Sequence, residues 1–348
     1  MSGREGSTVG SYELGRSLGN GYFGQVYHAT NIHSHAAIAL KIIEAPDRPS
    51  AERILQEARN LQTSANEHTV QINTATTFED DQGLLVLIDM NYVRGGTVER
   101  LFRKREISTK DVFRVARHSL FGLESTHNAG VIHKDIKPSN ILVDNNSFKI
   151  GDFGQSDNIS KVGHPTAGYI KHTPPEHMPF HHLRDADAAV ERNYDTYAVG
   201  ITLFRLLSSN FNYDIPHEII SAWKLNSGGK TLVEAVGFEP YIPNKLRKLI
   251  VKSTSLDAKE RFQTASEMLT ALEAMRTKVS FILPMEGPNW TAQEGDKRHV
   301  LSVKRVGGSF QFVHKVNGRK RPNQNYPTTS REQAEKHRAK AAKSMMLR

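Results

Sequence analysis

The chain has 348 residues, of which 38% are hydrophobic and 24% charged, the balance of a globular protein with a sizeable core. No apolar run approaches the ~20 residues of a membrane-spanning helix, and residues 1–11 are polar, so the sequence predicts a cytoplasmic protein without membrane contact. The absence of cysteine excludes disulfides and thiolate metal sites, and the formal net charge is +9.

The first motif is rich in glycine. The segment LGNGYFGQVY places Gly19, Gly21 and Gly24 in the spacing G-x-G-x-x-G-x-V, which lets a backbone approach phosphates without side chains in the way. The same spacing can open a dinucleotide-binding βαβ unit, but that unit needs a helix directly after the glycines. Residues 25–30 alternate like a strand instead, so the pattern predicts strand, turn and strand.

An apolar strand that contains one lysine comes next. Residues 36–43 read AAIALKII, and a buried ammonium such as that of Lys41 is costly unless it is paired. Residues 50–62 then show apolar residues at helical spacing and offer Glu52 and Glu57 as partners. Glu57 lies near the edge of the apolar face and is the better candidate; an ordinary solvated helix charge is the alternative.

The most informative segment is VIHKDIKPSNILVDNNSFKIGDFG, residues 131–154. Transfer of a phosphoryl group demands mainly positioning and charge neutralisation from a protein. A base, a cation and two metal ligands are available here in Asp135, Lys137, Asn140 and Asp152. A polar loop between two buried strands is the alternative reading.

This segment resembles the catalytic loop H-R-D-x-x-x-x-N and the D-F-G turn of eukaryotic-like (Hanks-type) serine/threonine protein kinases. The resemblance implies that Asp135 accepts the proton of the substrate hydroxyl and that Lys137 neutralises charge on the γ-phosphate. It also implies that Asn140 and Asp152 hold Mg²⁺ ions that bridge the phosphates of ATP. Lys134 stands where the family usually has arginine.

The resemblance extends to the nucleotide pocket. By it, Lys41 contacts the α- and β-phosphates and pairs with Glu57. The connection that follows the predicted buried strand of residues 83–91 would be the adenine hinge, guarded by Met90. The residues implied to contact ATP are Gly19, Gly21, Gly24, Val26, Ala39, Lys41, Asn91, Val93 and Leu142. Read alone, the apolar ones would be assigned to the core.

Three later features match the large lobe of the same family. The segment TPPE, which ends at Glu176, resembles A-P-E, and Arg261 would be the ion-pair partner of this glutamate. Asp195 begins a D-x-x-x-x-G match in which the aspartate would anchor the catalytic loop. Small-molecule phosphotransferases usually lack these three features.

Residues 155–172 are polar and aperiodic, as in a mobile activation segment, and Tyr169 occupies the usual place of a threonine. Autophosphorylation is predicted at Ser156, Ser160, Thr166 or Thr173. The insert at residues 179–188 is rich in histidine, but His177, His181 and His182 lack a second separated ligand pair, so a metal site is not favoured there.

The tail carries the whole charge excess. Residues 281–348 hold 14 Lys and Arg against 5 Asp and Glu. Residues 299–306 and 309–316 read as a hairpin around Gly307 and Gly308. Asn317 and Gly318 offer a second turn, and a helix over residues 330–343 follows with Ser330 as N-cap.

The strand cations of this tail suggest an anionic partner. They are Lys304, Arg305, Lys315, Arg319, Lys320 and Arg321. The module weakly resembles three-stranded DNA-binding modules of integrases, and with Phe310 and Phe312 it predicts that residues 297–348 bind nucleic acid. Recruitment of an acidic protein by the same residues is the alternative.

The sequence therefore predicts an α+β, bilobal protein kinase over residues 12–278, with a β-rich N-lobe at 12–92 and a helical C-lobe at 93–278. A basic ββ(β)α module at 289–348 follows. The predicted activity is transfer of the ATP γ-phosphate, with Mg²⁺, to serine or threonine of protein substrates, in a member similar to bacterial or phage-associated kinases. A pseudokinase or nucleotide-regulated scaffold with a working tail is the rival, and a small-molecule kinase is a second.

Overall fold

A computed structural model describes residues 4–21, 24–63, 65–81, 83–158, 172–177, 191–208, 228–283 and 285–347. In this part of the chain a β-sheet lobe precedes a helical lobe, and a second sheet with a final helix follows. This arrangement confirms the predicted α+β class with a C-terminal β-rich region. Among the described residues no helix combines the length and apolarity that crossing a lipid bilayer requires.

The N-terminal lobe is an antiparallel sheet of six strands in the order β1-β2-β3-β4-β6-β5, with helix α1 on one face. Its elements are β1 (Thr8–Val9), β2 (Tyr12–Gly21), β3 (Gly24–Asn31), β4 (Ala37–Ala45), α1 (Arg48–Thr63), β5 (Ile72–Asp80) and β6 (Gly83–Asn91). The pairing of β2 with β3 confirms the two predicted strands. Strand β4 carries apolar residues on both faces because Leu40 packs into the cluster on one face and Ala45 into the cluster under α1.

The helical lobe forms around α4, which is buried along its whole length. The helices are α2 (Val98–Arg103), α3 (Thr109–Asn128), α4 (Asn193–Leu207), α5 (Leu232–Val236), α6 (Asn244–Ser253) and α7 (Ala265–Glu273). Four short strands carry the site: β8 (Val131–Ile132), β9 (Ile141–Asp144), β10 (Ser147–Ile150) and β11 (Asp157–Asn158). A capping box between Ser108 and Asp111 starts α3.

The second sheet joins the tail to the helical lobe. Its order is β16-β15-β14-β13-β12-β7, so the two-residue strand that precedes α3 is one edge of it. The elements are β7 (Ile107–Ser108), β12 (Ser280–Leu283), β13 (Asn289–Glu294), β14 (Lys297–Val306), β15 (Ser309–Val316), β16 (Arg319–Thr328) and α8 (Arg331–Met346). Strands β7, β12 and β13 were not predicted as parts of this sheet.

Both predicted turns of the tail are present. Gly307 and Gly308 have φ of 52° and 85°, and Asn317 and Gly318 have φ of 47° and 81°. Two-residue hairpin turns of type I′ need positive φ at both positions, which glycine and asparagine accept at little cost. The side chain of Ser330 accepts a hydrogen bond from the Gln333 N–H and caps α8, as predicted.

Helix α8 packs into the core of the helical lobe. The Arg338 guanidinium lies 3.9 Å from the centre of the Trp290 ring, and that ring meets Tyr241 edge-on at 5.4 Å. At its end, the backbone carbonyl of Met346 accepts a hydrogen bond from Lys278 N–H at 3.0 Å. The tail and the helical lobe thus share one apolar core.

We expect Met346→Ala to lower the free energy of unfolding by about 2–5 kcal/mol, because removal of a fully buried side chain leaves a cavity. Urea denaturation followed by circular dichroism measures this change. Lys340→Ala on the exposed side of α8 is the matched control. A loss no larger than that of the control would show that the helix end does not support the lobe.

Two buried histidines lie where the lobes join. The ring of His68 stacks on that of His118 at 4.2 Å, and Nδ1 of His118 accepts a hydrogen bond from Phe148 N–H at 3.1 Å. Burial lowers the pKa of His118 to about 4, with smaller contributions from His68 and two arginines. The folded state therefore holds this imidazole neutral.

We expect stability to fall as the pH drops from about 6.5 towards about 4, because the unfolded chain takes up a proton that folded His118 resists. His118→Gln keeps a hydrogen-bond acceptor but does not titrate. This substitution should reduce the pH-dependent change in the free energy of unfolding by at most about 3 kcal/mol. Denaturation midpoints at pH 7 and 5 test this, with exposed His33→Gln as control; identical pH dependence in wild type and His118→Gln would refute it.

Candidate active site

A buried lysine and an aspartate link the two lobes. Lys41 on β4 is 5% exposed, and its Nζ lies 2.8 Å from Oδ1 of Asp152. Burial disfavours the Asp152 carboxylate, but the ammonium of Lys41 outweighs this and lowers the pKa of Asp152. This ion pair brings together two predicted site residues that are 111 positions apart.

Asp135 is the centre of the catalytic loop. Its carboxylate accepts two hydrogen bonds from Lys137 Nζ, at 2.9 and 2.7 Å, and one from Asn140 Nδ2 at 2.7 Å. Burial raises the pKa of Asp135, while Lys137 and Asn140 oppose that rise. The result is a desolvated carboxylate fixed by two neighbours, which suits proton acceptance.

Asp195 fixes the backbone of this loop. Its buried carboxylate accepts hydrogen bonds from the N–H groups of His133 at 2.8 Å and Lys134 at 2.9 Å. Lys134 has φ of 64°, a left-handed conformation that costs of order 1–3 kcal/mol for a bulky residue unless its surroundings enforce it. The aspartate thus anchors the loop, as predicted.

A further histidine at this anchor escaped sequence reasoning. His127, at the end of α3, places Nε2 2.8 Å from Oδ2 of Asp195. A histidine in the last turn of a helix is commonplace, so only the fold reveals this contact. His133 is also fixed: its Nε2 donates to Gly151 O at 3.1 Å, and its ring lies 4.5 Å from that of Phe153.

The predicted nucleotide-contact residues line up across β3, β4 and β6. Val26 lies opposite Lys41, and Ala39 lies opposite Met90. At the hinge, the Asn91 N–H donates to Gln71 O at 3.0 Å, which leaves its carbonyl as the group that could accept from a base. Val93 follows in the same connection, and Leu142 lies on β9.

Gly24 lies where strands β3 and β4 are too close for a side chain at this position. A Cβ added to Gly24 would lie 2.3 Å from Ile42 O, and Gly24 has φ of 151°. Any other residue would therefore collide with the neighbouring strand. Gly19 and Gly21 lie on β2, and residues 22 and 23 between the strands are outside the described part.

Glu57 and the phosphorylation residues give a mixed outcome. Glu57 is exposed on α1, so its pairing with Lys41 stays a prediction. Thr173 is 4% exposed, which contradicts its expected accessibility. Ser156 is half-buried, and its hydroxyl donates to Phe153 O at 2.7 Å. The predictions for Ser160, Thr166, Tyr169, His181, His182 and the insert at 179–188 lie outside the described residues.

The predicted ion pair between Glu176 and Arg261 is formed. Arg261 Nη1 and Nη2 lie 2.6 and 2.8 Å from the two carboxylate oxygens of Glu176, and the arginine side chain is fully buried. Burial disfavours the glutamate charge, but Arg261 outweighs it and lowers the pKa of Glu176. The bidentate geometry confirms the predicted pairing.

Two oxygen-bearing side chains suit magnesium. Asn140 donates from Nδ2 to the main chain and side chain of Asp135. Its Oδ1 accepts a long hydrogen bond from Ser139 Oγ at 3.5 Å and is the atom that could bind a cation. Asp152 uses Oδ1 for Lys41 and keeps Oδ2. Mg²⁺ prefers oxygen and is usually held by one or two carboxylates together with substrate phosphates and water. The donor set therefore fits this ion.

Comparison with known proteins agrees with this geometry. A family model described as "Protein kinase domain" matches residues 12–273. The chain is 27% identical to serine/threonine-protein kinase PrkC of Bacillus subtilis over 74% of its length and 39% of that protein. It is 24% identical to "Probable serine/threonine-protein kinase PknB" of Lactococcus lactis over 74% of its length and 41% of that protein.

Plant proteins match as well. CBL-interacting protein kinase 21 of Oryza sativa is 27% identical over 70% of this chain and 46% of the plant protein. The chain thus spans less than half of the length of these relatives. Since bacteria and plants both supply relatives, the expected bacterial or phage association stays a prediction.

Proposed function

The chain belongs to the protein kinase family, and from that premise we propose that it transfers the γ-phosphoryl group of ATP to serine or threonine hydroxyls of proteins. The observation that carries the proposal is the carboxylate of Asp135, which is buried and oriented by Lys137 and Asn140. The names of the bacterial relatives support the serine/threonine class.

Each residue of the site has a role in this proposal. Asp135 accepts the hydroxyl proton while Lys137 offsets charge beside it. Lys41 binds phosphate oxygens, a role that requires its ammonium to exchange part of its contact with Asp152. Asn140 and Asp152 would hold Mg²⁺, which when bound neutralises charge on the phosphates.

The remaining residues bind and enclose the nucleotide. Gly19, Gly21 and Gly24 let the backbone of β2 and β3 lie close to the phosphates. The hinge carbonyl of Asn91 and the N–H of Val93 are proposed to bind the adenine edge, and the apolar pocket walls exclude water.

The test is transfer of label from γ-labelled ATP to peptides that differ only in carrying serine, threonine or tyrosine. We expect label in the serine and threonine peptides, and self-labelling of the protein in the same assay. Label in tyrosine peptides alone would overturn the serine/threonine assignment. No transfer with intact ATP binding would favour the scaffold reading.

We further propose that the sheet within residues 297–348 binds an anionic partner, either nucleic acid or an acidic protein. Its support is the local charge: 14 Lys and Arg against 5 Asp and Glu over residues 281–348. Membership of the kinase family implies protein substrates, but it does not imply this second, anionic partner.

A further inference from the structure

Alternation along the strands of the tail separates a covered face, which packs on the helical lobe, from a second face. Leu301 and Phe312 point to the core shared with the helical lobe. Their neighbours point the other way, and this second face carries four cations around a buried centre: Arg298, Lys304, Lys315 and Lys320. We call it the basic sheet face.

The charges on this face are not balanced by the sheet itself. Lys315 lies directly opposite Lys320 on the neighbouring strand, and like charges in that position are destabilising. The single carboxylate of strands β12 to β16 is Glu294, which contacts His299 on the covered face at 3.5 Å. None of the four cations forms an ion pair with a residue that the structure describes. Arg298 lines a pocket that also contains Glu106 and Asp111, so the unpaired charge rests on the three lysines. Their arrangement fits an external polyanion.

The aromatic residues are turned away from this face. Phe312 is 1% exposed and Trp290 is 7% exposed, both in the shared core. This corrects the expectation that Phe312 contacts nucleic acid. Proteins that hold single strands rely on aromatic side chains for base stacking, and no described aromatic side chain lies on the basic sheet face. A single strand is therefore a poor occupant.

The composition of the face also disfavours a protein partner. Protein interfaces are enriched in aromatic residues and depleted in lysine at their centre. Here the centre holds Ser302, Val313 and Asn325, and valine is 2% exposed. Short side chains at a buried centre with lysines outside lack the aromatic residues of such an interface.

The spacing of the cations matches the major groove of a duplex. Lys315 lies opposite Val300, four residues along β14 from Lys304, which corresponds to about 14 Å in an antiparallel strand. The major groove of B-DNA is about 12 Å wide and admits β-strands. Lysines at the two ends can reach phosphates on both sides, and Gln311 lies between them. Asn325 does not face the bases, because its Nδ2 donates to Arg321 O and its Oδ1 is buried. The deep, narrow major groove of duplex RNA cannot be read in this way.

We propose that the basic sheet face binds double-stranded DNA, with Lys304, Lys315 and Lys320 on phosphates. The inference deepens the proposal of an anionic partner for residues 297–348 and does not depend on phosphoryl transfer. DNA would then hold the kinase domain near substrates on the same duplex.

The test is fluorescence anisotropy of the full chain with a labelled mixed-sequence DNA duplex over a range of salt concentrations, without ATP. Replacement of Lys304, Lys315 and Lys320 by glutamine should weaken binding by on the order of 100-fold at 0.15 M salt. It should also reduce the slope of log affinity against log salt by about one per lysine. The control replaces the exposed Lys230, Lys336 and Lys340 by glutamine, which removes the same charge elsewhere.

Retained affinity and slope in the control, with loss in the first variant, would support the proposal. Equal loss in both would overturn it, because binding would then follow net charge alone. Tighter binding of duplex RNA or of a polyglutamate peptide would also overturn it and would identify the other partner class. Unchanged circular dichroism and peptide phosphorylation in the first variant separate a failure of this inference from a failure of the kinase proposal.

Discussion

Asp135→Asn is expected to lower kcat by about 10²–10⁴-fold, the contribution usual for a positioned general base. The amide has the same shape and can still accept a hydrogen bond from Lys137, so the loop should keep its conformation. What it lacks is the capacity to take the hydroxyl proton. ATP affinity should be nearly unchanged, since Lys41 and the glycine strands are untouched.

Single-turnover phosphorylation of a serine peptide measures this effect. Asp144→Asn is a matched control, because Asp144 lies at the end of β9, 3.6 Å from Lys149 Nζ and 3.5 Å from Asn145 Nδ2, both long contacts. The raised pKa of Asp135 also predicts that wild-type activity falls on the acid side at a higher pH than an ordinary carboxyl would give. Retention of more than a tenth of the wild-type kcat in Asp135→Asn would rule out Asp135 as the general base.

Glu176→Ala is expected to lower the free energy of unfolding by about 3 kcal/mol, since it leaves the Arg261 guanidinium buried without its carboxylate. This value is at the lower end of the range usual for removal of one partner of a buried ion pair, because Glu176 keeps 27% of its side-chain surface in solvent. Arg261 also donates to Ser255 O at 2.8 Å and lies 5.0 Å from the centre of the Tyr197 ring. These contacts hold the arginine in place and prevent its escape to water.

Urea denaturation at pH 7 measures the loss. Glu332→Ala on α8 removes an exposed i,i+4 partner of Lys336 and should change nothing measurable. Because the folded-state pKa of Glu176 is lowered, the wild-type advantage should be present at neutral pH and decline as the pH falls through that pKa. A difference of less than about 1 kcal/mol between the two variants would mean that Arg261 finds another partner.

Local patterns were sufficient for much of the fold. Gly307 with Gly308, and Asn317 with Gly318, predict turns because few other residues accept positive φ. The anchor at Asp195 and the ion pair of Glu176 with Arg261 follow from motif spacing. Such features depend on a few residues whose chemistry allows one arrangement.

Other features depend on distant geometry that no local pattern encodes. Strand β7 has two residues and no periodicity, and its partner β12 lies far along the chain. The nearest carboxylate to Lys41 depends on the orientation of α1 relative to the sheet, so residue types could not decide between Glu57 and Asp152. Phe310 and Phe312 are apolar residues in a charged module. Whether they belong to the core or contact a ligand depends on which face of the sheet α8 covers, and the sequence does not show this.

The pairing of β7 with β12 affects the order in which the chain can fold during synthesis. Ile107 and Ser108 meet Leu283 and Ile282 about 175 positions later, and such distant contacts slow folding. Ribosomes add about 5–20 residues per second, so the roughly 65 residues after Leu283 take about 3–13 s more to appear. During that interval the apolar surface that receives α8 stays uncovered, so we expect the nascent helical lobe to be most prone to aggregation before α8 is made.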